Sequence, residues 1–219
     1  MILLDKIEKD KVESFKVAIF LTLAGGFQDS YSYVVREKVF ANAQTGNIIL
    51  LVKSIMEKNF SESLRYIIPI TFFMGGVYLS VHMERFKSVT TKRWEELVIF
   101  LEFIIIWVVG FISFKYNVIG NSLLSFACGL QVNTFKKVKG LSYANTMCVG
   151  NIRSGTDMLC RYHITKNKKF LNSSLHYYSI ILIFAIGAGL GVYLGEIIGI
   201  KSIWISNIFL TIAYLLLKG

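Results

Sequence analysis

The chain has 219 residues, 54% of them hydrophobic and only 17% charged, with one proline and a formal net charge of +10. A soluble domain carries about a quarter charged residues, so an ordinary water-soluble core is excluded as the organising structure. The basic residues sit in short stretches between apolar runs. This pattern predicts sidedness in a membrane and contact with anionic lipid headgroups, and argues against a nucleic-acid partner.

In chain order, residues 1–14 carry Asp5, Glu8, Asp10 and Glu13 among lysines and read as an amphipathic cytosolic lead-in. No small-residue cleavage pattern follows the first apolar run, so no removed signal peptide is expected. Long apolar runs follow at about 15–34, 65–84, 95–115, 118–134, 174–198 and 201–217. Each reaches, or nearly reaches, the roughly twenty residues that a helix needs to cross the hydrocarbon. Two shorter and more polar runs, 39–56 and 143–160, stand apart.

These short runs carry an internal repeat. Phe40-Ala41-Asn42-Ala43-Gln44-Thr45-Gly46-Asn47-Ile48 returns as Tyr143-Ala144-Asn145-Thr146-Met147-Cys148-Val149-Gly150-Asn151-Ile152, with one residue inserted. Upstream, Gly26-Phe27-Gln28 returns as Gly129-Leu130-Gln131, and downstream Gly76-Val77-Tyr78-Leu79 returns as Gly191-Val192-Tyr193-Leu194. Three landmarks in one order indicate a duplication, with 15–115 as the first membrane repeat and 116–217 as the second. Basic residues divide more unevenly between the two sides when only the six long runs cross than when all eight do. The expected fold is therefore an all-α polytopic membrane protein: six full crossings, two short re-entrant helices, and cytoplasmic N- and C-termini. Three crossings per half is an odd number, which makes the halves inverted repeats.

Each Gly-Asn element opens a helical-looking run. A helix that begins inside the bilayer aims free N–H groups and a partial positive charge at whatever precedes it. Asn42, Thr45, Gly46 and Asn47, with Asn145, Gly150 and Asn151, are thus candidates to bind a small polar solute, an anion among them. Gln28 and Asp29 in the first run, and Gln131 with Asn133 and Thr134 in the fourth, add polar groups that a crossing helix normally turns inward. Arg153, three residues after Gly150, is a candidate to neutralise an anion, or else snorkels to a lipid phosphate.

Two acids break the symmetry. Asp29 faces Val132 in the repeat and is either an ion- or proton-coupling group or an interfacial one. Glu102 lies within Val98-Ile99-Phe100-Leu101-Glu102-Phe103-Ile104-Ile105-Ile106, where an unpartnered carboxylate costs several kcal/mol. It reads as a proton carrier or as a protonated structural residue. Gly187, Gly189, Gly191 and Gly195, like Gly75-Gly76, have the spacing of close helix packing within one chain or between two, which allows a homodimer. Pro69 is a candidate kink.

Cys128, Cys148 and Cys160 match no zinc spacing, and His82, His163 and His176 fall in no ligand set. No metal, no cofactor and no enzymatic activity are expected.

The run Gly25-Gly26-Phe27-Gln28-Asp29, followed by Val39-Phe40-Ala41-Asn42 leading into Thr45-Gly46-Asn47, resembles the signature of the YoaK-like family of bacterial integral membrane proteins. The likeness covers nearly the whole chain and departs from the pattern at Val149, where the second element lacks its Thr. It implies a bacterial inner-membrane protein and brings no activity with it. The functional expectation is a transporter or channel for a small polar solute, with its pathway between the two repeats. The alternative is a non-transporting binding or scaffold protein whose polar motifs only hold helices together.

Overall fold

The computed structural model describes residues 11–90, 94–143, 146 and 148–218. Of the residues singled out above, Asn145 lies outside these, as do Ala144, Met147 and most of the 1–14 lead-in.

The described chain is helical throughout, apart from one small hairpin. Its helices are α1 (Phe15–Val35), α2 (Gln44–Met56), α3 (Phe60–Thr90), α4 (Trp94–Val109), α5 (Asn117–Thr134), α6 (Cys148–Thr165), α7 (Lys168–Ile198) and α8 (Trp204–Lys218). Between α5 and α6, strands β1 (Lys137–Val138) and β2 (Leu141–Ser142) pair antiparallel. Pro69 lies inside α3, which continues past it.

Local chemistry sets several of the boundaries. α3 opens on a reciprocal cap: Asn59 Oδ1 accepts from the Glu62 amide at 3.1 Å, and Asn59 Nδ2 donates to Glu62 Oε2 at 2.9 Å. Asn167 caps α7 by accepting from the Lys169 amide. α1 stops at Arg36, where Glu37 and Lys38 both adopt left-handed backbone (φ 64 and 62). Two consecutive non-glycine residues in that region cost roughly 1–2 kcal/mol each, and they turn the chain sharply back along α1.

Glycine governs the two closest crossings. On α1, Gly26 lies against the backbone of Phe184 and Ala188 of α7, and a Cβ there would overlap the Phe184 carbonyl. On α5, Gly129 meets the backbone of Phe73 and Val77 of α3 in the same way. Leu23 faces Gly187, Phe27 faces Gly191 and Val35 faces Gly195, so α1 and α7 run in the same direction. Thr134 beside Ser80 and Lys136 beside Glu84 continue the α3–α5 contact, again in one direction. α1 and α5 run oppositely, since Leu21 meets Gln131, Gln28 meets Cys128 and Arg36 meets Asn117. Gly187, Gly191 and Gly195 therefore serve contacts within the chain, while Gly189 faces open space.

The exposure pattern is inverted relative to a water-soluble domain. Large apolar side chains cover the outside, among them Ile49 (65% exposed), Met56 (75%) and Val149 (80%), whereas Gln28, Arg36, Glu102, Asn121 and Gln131 are fully buried. Two stretches, Phe60–Arg85 and Lys168–Lys218, are long and apolar enough to cross a bilayer. α2, at 13 residues and about 20 Å, is too short to span the roughly 30 Å hydrocarbon.

Candidate functional site

The residues between α1 and α2 double back along α1. The Ala41 amide donates to Ser32 Oγ at 2.9 Å, the Asn42 amide to Asp29 Oδ1 at 2.8 Å, and Asn42 Nδ2 to the Gly25 carbonyl at 3.2 Å. The chain thus descends from Arg36 to the middle of α1, where α2 begins. The N-cap position of α2 is Ala43, which has no side chain able to cap. Asp29 of α1 instead holds the chain just before the helix, its Oδ1 accepting from the amides of Asn42 and Ala43. A carboxylate at a helix start is favoured both by the free N–H groups and by the helix dipole. Asp29 is buried within the protein rather than solvated.

Around this point lies a connected buried network. Gln28 Nε2 donates to Glu102 Oε1 of α4 and to Ser206 Oγ of α8, both at 3.0 Å. Gln28 Oε1 accepts from Cys128 Sγ of α5 at 3.4 Å, and Asn42 also reaches Cys128. One turn further along α5, Gln131 Nε2 donates to the Leu21 carbonyl at 3.3 Å. Three oxygens of this group are buried without a partner among the described residues: Asn42 Oδ1, Glu102 Oε2 and Gln131 Oε1. Buried polar atoms are normally satisfied, and further unpartnered ones among the described residues lie on Thr22, Asn121, Ser125, Thr146 and Asn207.

Gln28, Asp29, Asn42 and Glu102 therefore come together, while Gln131 bonds to Leu21 one turn along α5 from Cys128. The other candidates do not join them. Asn47 is buried but braces a turn: its Nδ2 donates to the Phe40 carbonyl at 2.7 Å and to Gln44 Oε1 at 2.9 Å, and its Oδ1 accepts from the Phe40 amide at 2.9 Å. Gly46 lets the Phe40 ring lie close. Thr45, Gly150 and Arg153 are exposed, and a Cβ at Gly150 would meet nothing within 4 Å, so close backbone approach is not the reason for that glycine. Asn133 bonds Ser80 Oγ at 2.9 Å in the α3–α5 contact. Asn151 is buried in α6.

Sequence reasoning missed Arg36. It is fully buried, and its guanidinium is held by neutral oxygens: Nε donates to Tyr31 Oη at 2.9 Å, Nη1 to Asn117 Oδ1 at 3.1 Å, and Nη2 to the carbonyls of Val109 (2.8 Å) and Ile112 (3.0 Å). Asn121 Nδ2 in turn donates to the Arg36 carbonyl at 2.8 Å. Arg36 thus sits on the electronegative end of α4, as a cation does in a C-cap. The one available signal was its position directly after an apolar run, which looks the same as a snorkelling residue.

The loop between α5 and α6 is built differently. The β1–β2 hairpin lies against the start of α1, with the Lys139 amide donating to the Glu13 carbonyl at 2.8 Å. Beside it Lys139, Leu141, Lys169, Asn172, Ser173 and His176 line an open pocket of about 390 Å³. Among the described residues no group of three or more His, Cys, Asp or Glu side chains is placed to hold a metal ion.

A family model described as "Protein of unknown function (DUF1275)" matches residues 17–216. No curated protein and no solved structure matches the chain. The match runs from within α1 to within α8, and the chain belongs to the DUF1275 family.

Proposed function

We propose that this protein is an integral membrane transporter or channel for a small polar solute, whose pathway passes the Gln28–Asp29–Asn42–Glu102 cluster and Gln131. The observation that carries the reading is the buried polar network with unpartnered oxygens inside a molecule whose exterior is apolar. Ionisable and amide groups within a membrane bundle are expensive, and they generally serve a pathway or a binding site. The start of α2 beside the middle of α1 supports a helix that begins at depth, a common design for transporter sites.

The same reading takes the chain as two inverted repeats, α1–α4 and α5–α8, crossing six times through α1, α3, α4, α5, α7 and α8. The exchange of glycine contacts supports this: Gly26 on α7 is matched by Gly129 on α3, and Gly187 against Leu23 by Gly76 against Phe126. These contacts pair Gly76 with Gly187, one helical turn earlier than the Gly191 that the residue pattern favoured. The bacterial inner membrane, cytoplasmic termini and the YoaK-like likeness belong to this proposal.

An anionic solute fits the geometry less well than a neutral or cationic one. The amides of Asn42 and Ala43, which lead into α2, already face Asp29, and Arg153 is exposed. The scaffold alternative draws on Asn47, whose amide is fully engaged in a turn. The deciding experiment is light-scattering permeability of proteoliposomes to a panel of small polar solutes, comparing the native chain with Asn42→Leu. Flux of one solute that the substitution abolishes, with folding retained in detergent, is the expected result. Proteoliposomes as tight to the whole panel as empty ones would overturn the reading.

A further inference from the structure

The open cavity of about 390 Å³ lies where the β1–β2 hairpin meets the starts of α1 and α7, and its lining of Lys139, Leu141, Lys169, Asn172, Ser173 and His176 contains no acid. Its walls are held in place. Lys139 and Gly140 form the two-residue turn between Val138 and Leu141, both with positive φ (48 and 76), as a type I′ hairpin turn requires. The Lys139 amide donates to the Glu13 carbonyl at 2.8 Å, and the Gly140 amide to Glu13 Oε2 at 2.9 Å. Tyr177 Oη donates to the Ser142 carbonyl at 2.9 Å, and Val138 is buried in one apolar cluster with Ala18 and Ile180. The hairpin that carries Lys139 is thus fastened both to α1 and to α7, the helix that carries Lys169.

Cations line this cavity without a matching anion. Among the described residues, Lys139 and Lys169 stand in no ion pair. The Lys139 ammonium lies 5.6 Å over the Phe15 ring, and the same ring meets His176 edge-on at 5.1 Å. His176 Nδ1 donates to the Asn172 carbonyl at 2.7 Å, since a carbonyl only accepts. The Glu13 carboxylate beside the turn is engaged by the Gly140 amide.

The setting supplies an apolar side as well. Lys169, Asn172, Ser173 and His176 stand at the start of α7, which leads into a stretch long and apolar enough to cross a bilayer. Leu175 (54% exposed), Leu182 (63%) and Ile186 (49%) then share one outward face of that helix, beginning beside Asn172. A basic hollow at the foot of an exposed apolar helix face matches a molecule with an anionic head and apolar chains.

We propose that this cavity binds the phosphate of an anionic phospholipid headgroup, with Lys139 and Lys169 as its cations and the lipid chains along the Leu175–Leu182–Ile186 face. Ammonium groups bind phosphate as point charges, a chemistry that free phosphate shares and the experiment separates. The proposal goes beyond transport and rests only on the membrane part of that reading.

The test is thermal unfolding of the full-length protein in neutral detergent with added phosphatidylglycerol, phosphatidylcholine or inorganic phosphate at matched ionic strength. Expected is a saturable rise in Tm of about 2–4 °C with phosphatidylglycerol over phosphatidylcholine. It should vanish in the Lys139→Met, Lys169→Met double variant. It should persist in Lys115→Met, which removes one exposed lysine at the opposite end of α5. Should the double variant not fold, native mass spectrometry of Lys169→Met against the native chain decides, with less phosphatidylglycerol retained by the variant. No rise in the native chain, or an equal rise in the double variant, overturns the proposal. So does an equal rise with inorganic phosphate, which assigns the cavity to a free anion. Failure of the membrane reading shows separately, as a chain that stays monodisperse without detergent, and takes the proposal with it.

Discussion

The loops that follow α1 and α5 hold equivalent places in the chain and are built from opposite materials. Counted from Gly26 and Gly129, Arg36 and Lys139 stand at the same position. Arg36 is buried and reaches Tyr31, Asn117 and the end of α4, whereas Lys139 is exposed over the Phe15 ring beside an open basic pocket. One end of the bundle is therefore sealed by a cation locked onto neutral oxygens, and the other stays accessible.

The sharpest way to break the comparison is to exchange the two cations' surroundings for nothing. Arg36→Met leaves the carbonyls of Val109 and Ile112 and Asn117 Oδ1 without their donor, at about 1–3 kcal/mol for each buried group left unsatisfied. Partial relaxation should bring the total to roughly 3–5 kcal/mol, read as lost stability in detergent. Lys139→Met should leave Tm unchanged, because its side chain is exposed. Equal losses from the two substitutions would end the distinction.

A smaller effect probes the turn below the seal. Asn47→Leu removes three hydrogen bonds to Phe40 and Gln44 and should destabilise by about 1–3 kcal/mol. It should also raise proteolysis or hydrogen exchange within residues 36–43. The smallest effect compares the two glycines. Gly150→Ala, in a helix with nothing near its Cβ, should stabilise by about 0.5–1 kcal/mol, while Gly46→Ala presses the Phe40 ring and should not. Thermal scans of the pair would sharpen the contrast between a tight first loop and an open second one.

Much of the helix layout was readable in the residues, because long apolar runs leave few alternatives to helices. Gln28, Glu102 and Gln131 were also visible, since polar groups within such runs have few places to go but inward. The short elements were harder. The chain leading into α2 is held by Asp29 of α1, through the amides of Asn42 and Ala43, and no residue pattern announces that contact. Arg36 shows the same limit: its partners at Val109 and Ile112 are more than seventy residues away. Thr45 and Gly150 were singled out by repetition, and repetition marks common descent more faithfully than it marks a place in the interior. Gly191 opens the better sequence match to Gly76, and only contacts between helices, Gly187 on Leu23 and Gly76 on Phe126, bring out the likeness of Gly76 to Gly187.

The cross-packing of α1 on α7 has a consequence for how the molecule is made. A ribosome releases α1 well before α7, with residues 44–165 synthesised in between. During that interval the Gly26 face of α1 lacks the helix it was shaped for, and the chain must wait or borrow a temporary companion. Nascent chains halted before residue 168 should therefore be prime clients of insertion chaperones and membrane proteases, and completion of the last two helices is the step that closes the bundle.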